Sequence, residues 1–210
     1  MKQIYIPDQT HKLFTEKITG KDSEILYTVG HNCDITLVLV LTGTAELNCQ
    51  IILSEPDSRI NIIGLLKGEF DDIFSLHTLQ HHQAPDTASS LLVKSVLDGS
   101  AKFEFDGVIR VEPAAHGTDA YQRNENLLLS SDTVVVSKPT LEISAHDVRC
   151  THAAFVSQVS DEQLWYLKSR GIPPEKATGL ITGGFFTSAL DHISDRNAAR
   201  NAIRSLKIGI

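Results

Sequence analysis

The spacing of apolar residues along the chain changes near residue 160. From Ile25 to about Gln158 they come in short runs rich in β-branched side chains: ILYTV (25–29), ITLVLVL (35–41), AELNCQIIL (45–53), RINIIGLL (59–66), LLVKSVL (91–97), AKFEF (101–105), GVIRVE (107–112), TVVV (133–136) and LEIS (141–144). Runs of this kind predict strands. Turn signals that should separate them stand at Thr42-Gly43, Glu55-Pro56-Asp57, Lys67-Gly68, Asp98-Gly99-Ser100, Asp106-Gly107 and Lys138-Pro139. Strand starts recur roughly every ten residues, as in sandwiches, barrels and solenoids. Residues 1–24 are polar and mixed, with weak structure signals. The pattern therefore predicts an N-terminal segment over 1–24, a β core over 25–159 and a helical region over 160–210.

ITLVLVL and IILSEPDSRINIIGLL are more continuously apolar than a one-sided antiparallel sheet requires. Strands covered on both faces have this character, and so do the coils of a parallel solenoid stacked on a shared core. No Asn-Gly hairpin signal recurs between the runs, which disfavours a meander. The pattern leaves solenoid and sandwich both open.

From Ser160 the period becomes helical. Ser160 and Gln163 fit a capping box, and Asp161 and Glu162 occupy the first turn, where the helix dipole favours acids. Gly171 suits the position after a helix and Pro174 the first position of the next. In that second helix Ala177, Leu180, Ile181, Phe185, Ala189 and Ile193 are expected on one apolar stripe. Asp195 should cap a third helix with the stripe Ala199, Ala202, Ile203 and Leu206. Arg196, Arg200 and Arg204 lie opposite, as a solvated face or a partner-docking one.

The 210 residues carry 26 acids against 19 lysines and arginines, a formal charge of −7. A nucleic-acid binder needs a basic footprint, and none appears. The same sign disfavours an anionic membrane surface. The longest apolar stretch, Ile35 to Leu41, is too short to span a bilayer. MKQIYIPDQTHKL lacks the apolar run of a signal peptide, so the cytoplasm is the expected location. There is no phosphate loop, no G-x-G-x-x-G before a helix and no G-x-S-x-G, so neither a bound nucleotide nor an esterase is expected.

The three cysteines, Cys33, Cys49 and Cys150, include no C-x-x-C pair. Cys150 and His152 stand two positions apart in DVRCTHAAFVSQ, a strand-like tract, and so share one face. Thiolate and imidazole are soft ligands for iron, zinc or Fe–S clusters. Taken alone, the pair reads first as a small buried hydrophobe beside a hydrogen-bonded core histidine. His77, His81 and His82 fall near an expected loop in strand-like surroundings, and H-E-x-x-H is absent. Gly30-His31-Asn32-Cys33 reads as a turn. Nine histidines and a sandwich reading keep a cupin-like metal-binding protein open, although no H-x-H tract occurs.

The tract TDAYQRNENLLLSSDTVVVSKPTLEISAHDVRCTHAAFVSQVSDEQLWYLKSRGI resembles the SufB/SufD family of iron–sulfur cluster assembly proteins, SufD more than SufB. The likeness rests on Asn124-Glu125-Asn126-Leu127-Leu128-Leu129-Ser130, on Lys138-Pro139 with Leu141-Glu142-Ile143, and on Asp147-Val148-Arg149-Cys150 with His152. It continues through Asp161-Glu162-Gln163-Leu164-Trp165-Tyr166-Leu167 and Ser169-Arg170-Gly171-Ile172. It implies a right-handed parallel β-helix (solenoid) followed by a C-terminal α-helical region, and a scaffold rather than an enzyme. It also implies a transient iron–sulfur cluster at an interface shared with a SufB-like partner or a second copy, with His152 and Cys150 on this chain's side. A SufC-like ABC ATPase would dock on the helical tail, for which Gln163, Leu164, Tyr166, Arg170, Leu180 and Phe185 are the expected contacts. Clusters usually take four protein ligands, and the SufB-type cysteine tract has Asn124-Glu125-Asn126 here, so the site must be shared. A SufD-like adaptor without cluster chemistry is the alternative within the family.

Overall fold

The structure is a computed structural model and describes residues 1–207, Glu175 by its backbone alone. The last three positions of the expected helical region lie outside the described residues. In chain order the elements are β1 (Lys2–Ile6), β2 (His11–Val29), β3 (Asp34–Leu53), β4 (Arg59–Gly68), β5 (Ile73–His82), β6 (Ala88–Leu97), β7 (Lys102–Val111), β8 (Thr118–Leu128), β9 (Val134–Ile143) and β10 (Val148–Gln158). Helices α1 (Asp161–Ser169), α2 (Pro174–Leu190) and α3 (Arg196–Ser205) follow.

Every strand pairing is parallel, and the order β10-β8-β6-β4-β3-β5-β7-β9 alternates across the chain. That order is a solenoid of about five turns seen as two faces. One face carries the first parts of β2 and β3, then β4, β6, β8 and β10. The other carries β1, the last parts of β2 and β3, then β5, β7 and β9. β3 belongs to both because it turns the corner at Gly43, whose φ is +64°. The sandwich reading, and with it the cupin-like protein, is overturned by this uniformly parallel pairing.

Alternate residues point inward and stack in register from coil to coil. Leu37 pairs with Ile62, and Ile62 with Leu91, all fully buried. A side chain buried this way is worth about 1.5–3 kcal/mol over leaving it exposed. The first coil ends in a polar contact: Glu16 accepts from the Tyr27 hydroxyl at 2.9 Å and pairs with Lys2 at 2.6 Å.

One corner repeats with each coil. Gln9, Asn32, Asp57, Asp86 and Gly117 all have positive φ, and each is followed by a hydroxyl or thiol residue: Thr10, Cys33, Ser58, Thr87 and Thr118. These side chains donate to carbonyls of the same turn, Thr87 to Ala84 at 3.1 Å and Thr118 to Ala115 at 2.8 Å. Polar turn residues satisfy left-handed backbone in this way. The repeat PDQT, GHNC, EPDS, APDT, AHGT marks the coils in the sequence.

Several expectations change. Residues 1–24 are not a weakly structured segment, because β1 and most of β2 run through them and β2 crosses the expected boundary at 24/25. Thr42-Gly43, Asp106-Gly107 and Lys138-Pro139 lie inside β3, β7 and β9 rather than between strands. Gly107 is needed for space. A Cβ there would come within 2.5 Å of the Gln122 amide and of Phe105, because Gln122 crosses the lumen to donate to the Gly107 carbonyl at 3.2 Å. His77, His81 and His82 sit in β5, which ends at His82 beside the expected loop.

The helical tail folds back on the face of even-numbered strands. Phe186, Ala189, Ile193, Ala202, Ile203 and Leu206 pack on Val38, Val40, Ile63, Leu65, Val96 and Leu127, the outward apolar residues of that face. This accounts for the continuous apolarity of β3 and β4: one face lines the lumen and the other meets the helices. The Ser160–Gln163 capping box, Pro174 at the start of α2 and the Asp195 cap of α3 are all present. The α2 stripe is shifted from expectation. Phe186 is fully buried, Phe185 half-buried, and Leu180 is 57% exposed on the far side.

Candidate functional site

Cys150 and His152 lie on β10, the last strand of its face, whose pairing partner is β8. Cys150 is in register with Ala120 and His152 with Gln122, both buried inward positions of β8. The two side chains therefore share one face, as their spacing predicted, and that face continues the lumenal column. With β10 at the end of the strand order, His152 is exposed and Cys150 half-buried. The Cys150 side packs against the small cluster of Ile109, Val111, Ala115, Ala120 and Ala145. Burial pushes the thiol pKa up and nearby Asp119 adds to this, partly offset by a backbone hydrogen bond at Ala120. Cys150 thus packs as a small hydrophobe on one side and is partly open on the other.

The end of the solenoid around this pair is apolar. Phe155 and Val156 of β10 are 52% and 55% exposed, and Val134, Val136, Leu141 and Ile143 of β9 are exposed as well. An edge of unpaired strand with exposed apolar side chains is a template for another chain. Among the described residues no three His, Cys, Asp or Glu side chains come together as a metal site. Cys150 and His152 supply two soft donors, half of what a four-ligand cluster needs.

The lumen grows polar toward this end. Thr78, Gln80, His82, Ser89, Gln122, Asn124 and Asn126 are all buried and inward-facing. His82 Nδ1 lies 2.7 Å from Thr87 Oγ1 and Nε2 lies 2.8 Å from Ser89 Oγ. Burial, with a smaller contribution from His81, lowers its pKa to about 4. Ser95 donates to Asn126 at 2.6 Å, and Asn126 donates to Asn124 at 2.7 Å and to the Phe155 carbonyl at 3.0 Å.

The residues expected to dock a partner fall into three situations. Tyr166 and Leu180 are open to solvent, and the Arg170 guanidinium lies 5.4 Å over the Tyr166 ring. Gln163 is exposed, but its side chain closes the cap on the Ser160 amide at 3.2 Å. Leu164 is half-buried, and Phe185 faces the solenoid beneath Lys94, whose Nζ sits 4.2 Å from the ring centroid. Trp165, 68% exposed on α1 and not among the residues singled out, adds to the open surface.

A charged group on the outer face was also missed. Lys94 pairs with Glu125 at 2.6 Å, and Glu125 pairs with Arg123. A lysine in the middle of the apolar run LLVKSVL was the available signal: a strand buried on both faces keeps a cation only where an anion meets it.

The architecture, a parallel β-solenoid followed by a back-folded helical tail, places the chain among the β-solenoid proteins. The family model described as "SUF system FeS cluster assembly, SufBD core domain" matches residues 23–185, and the chain belongs to that family. It is 35% identical over 149 residues to the iron–sulfur cluster assembly SufBD family protein slr0076 of Synechocystis, covering 70% of this chain and 32% of that protein. It is 31% identical over 165 residues to the iron–sulfur cluster assembly protein SufD of Escherichia coli, covering 78% of this chain and 39% of that one. It is 34% identical over 176 residues to the chloroplastic protein ABCI7 of Arabidopsis thaliana, covering 81% and 37%. The matches therefore take in well under half of these relatives' own lengths. Among the described residues no helix is long and apolar enough to cross a membrane.

Proposed function

We propose that this chain is a scaffold subunit of SUF-type iron–sulfur cluster assembly, SufD-like in kind, and not itself a catalyst. The cluster is its cargo. Cys150 and His152 offer it two ligands, and a SufB-like solenoid or a second copy, laid against the edge of β10, supplies the rest. The observation that carries this reading is the placement of the pair: consecutive inward positions on a terminal strand, flanked by exposed Phe155 and Val156. A closed monomeric site would have drawn in further donors.

A SufC-like ABC ATPase docks on the helical tail, through Trp165, Tyr166, Arg170 and Leu180, with Gln163, Leu164 and Phe185 shaping the helices beneath. Nucleotide belongs to that subunit, since this chain has no phosphate loop. The cytoplasm is the compartment we assign. A second reading, an adaptor that docks the ATPase without ligating cargo, is favoured by the packing of Cys150 on the apolar cluster of Ile109, Val111 and Ala120.

One experiment separates them. The chain is co-expressed with a SufC-type ATPase and a SufB-type partner, and the complex is isolated without oxygen. Iron, acid-labile sulfide and the visible absorbance band are then measured. A scaffold loses cluster in His152→Ala while the complex stays intact. An adaptor keeps its cluster content unchanged. Failure to co-elute with the ATPase rejects the docking assignment in both.

A further inference from the structure

We propose that Glu125 is a positioning residue that ties helix α2 to the edge strand β10, so that the seating of the helix sets the placement of Cys150 and His152. The importance of that placement rests on the cluster-site reading above; the mechanical tie does not.

Lys94, Glu125 and Phe155 are partners in register across β6, β8 and β10, at outward positions on one line. At the helix end of that line, Lys94 Nζ donates to the Phe185 carbonyl at 2.9 Å and to Ser188 Oγ at 2.6 Å. Its third contact is Glu125 Oε2 at 2.6 Å. The other carboxylate oxygen takes Arg123, whose guanidinium lies 5.0 Å over the Phe155 ring. The sequence of contacts thus runs from α2 through Lys94, Glu125 and Arg123 to β10.

Burial makes the central pair strong. The side chains of Lys94 and Glu125 are 6% and 14% exposed, so solvent and salt screen their attraction far less than that of a surface pair. Removing Glu125 leaves Lys94 as a buried cation without a counter-ion, a strongly unfavourable state. Glu125 also holds two cations at once, one facing the helix and one facing the edge strand, and so it is the joint. β10 has β8 as its strand neighbour and little of its own surface buried, so a contact on its outer face adds to the ladder with β8 that holds it.

The test is amide hydrogen exchange on the full chain, read by mass spectrometry. Glu125→Gln and Lys94→Met are expected to speed exchange in residues 148–158 by about tenfold or more, while β4 and β7 keep their protection. Ser188→Ala, a change on the helix surface, is expected to speed the same segment in the wild-type background and to add nothing in Lys94→Met. A residue that merely supported overall stability would not produce that dependence. Unchanged exchange at 148–158 in the three single variants overturns the proposal, as does acceleration spread evenly over all strands. So does a Ser188→Ala effect that persists without Lys94. Should Glu125→Gln fail to fold, the Ser188 and Lys94 cycle decides alone. The readout uses neither cargo nor partner, so it stands or falls apart from the His152→Ala measurement.

Discussion

The Asn126 side-chain amide of β8 donates to the backbone carbonyl of Phe155 on β10 at 3.0 Å. A lumenal side chain thereby holds the main chain of the strand that carries Cys150 and His152. The same amide accepts from Ser95 and donates to Asn124, so all of it is engaged inside the lumen. Asn126→Leu keeps the volume and leaves those polar groups without partners, at a cost of about 3 kcal/mol. Urea unfolding should show a lower midpoint with an unchanged slope.

The three thiols should separate by reactivity. Cys49 is fully buried, and burial with nearby Glu16 pushes its pKa up to about 12. Cys33 is buried, and its thiol donates to the Pro7 carbonyl at 3.3 Å. Cys150 is half-buried with a pKa raised chiefly by burial. Since the thiolate is the nucleophile, an alkylating agent at neutral pH should modify Cys150 alone in the native protein, more slowly than an unhindered thiol. After unfolding all three should react. Mass spectrometry of the labelled chain reads the order directly. Because a ligating cysteine must lose its proton, cluster build-up that depends on Cys150 should increase with pH.

Helix starts and the apolar strands were legible because each leaves a local mark: Ser160 with Gln163, Pro174, Asp195, the run ITLVLVL. The strands β5 and β8 leave no such mark. Their inward positions include the polar residues Thr78, Gln80, His82, Gln122, Asn124 and Asn126, so the alternation of apolar and polar residues is absent. The corner repeat, from PDQT to AHGT, was readable but has uneven spacing, since the coils lengthen along the chain. The shared face of Cys150 and His152 was legible because one strand carries both. The pairing of Lys94 with Glu125 was not, because it joins β6 to β8 through the stacking of successive coils. On α2 the stripe was placed through Leu180 and Phe185, whereas the solenoid selects Phe186, the residue that meets its outward valines and leucines.

The lumenal histidine should give the protein an acid-sensitive core. Thr87 spends its hydroxyl proton on the Ala84 carbonyl, so His82 Nδ1 is the donor to Thr87 and Nε2 accepts from Ser89. Protonating Nε2 would aim a proton at that hydroxyl inside a dry core. The pKa of about 4 in the folded chain lies below the ordinary 6.5, so between these values the unfolded chain binds the extra proton. The stabilisation is therefore complete above about pH 6.5 and is lost as pH falls toward 4, amounting to about 3 kcal/mol. Unfolding free energy measured from pH 7 to 4 should fall over this window, and His82→Gln should flatten the fall.

Two aromatic residues of the tail should behave in opposite ways. Phe186 is fully buried between α2 and the solenoid, packed with Val38, Ile63 and Val96. Phe186→Ala opens a cavity that the strands cannot collapse to fill, and it should cost about 3–5 kcal/mol. Trp165 is 68% exposed on α1, where no residue is buried, so Trp165→Ala should change stability by no more than about 0.5 kcal/mol. If the tail docks an ATPase, the order reverses in binding. Exposed aromatics at the centre of an interface commonly carry 2 kcal/mol or more, about a thirtyfold change in Kd. Titrating the SufC-type subunit against Trp165→Ala and against the double variant Trp165→Ala with Leu180→Ala measures this. A stable, well-folded chain that binds about thirtyfold more weakly supports docking through α1 and the exposed flank of α2. Unchanged affinity in the double variant moves the docking surface elsewhere.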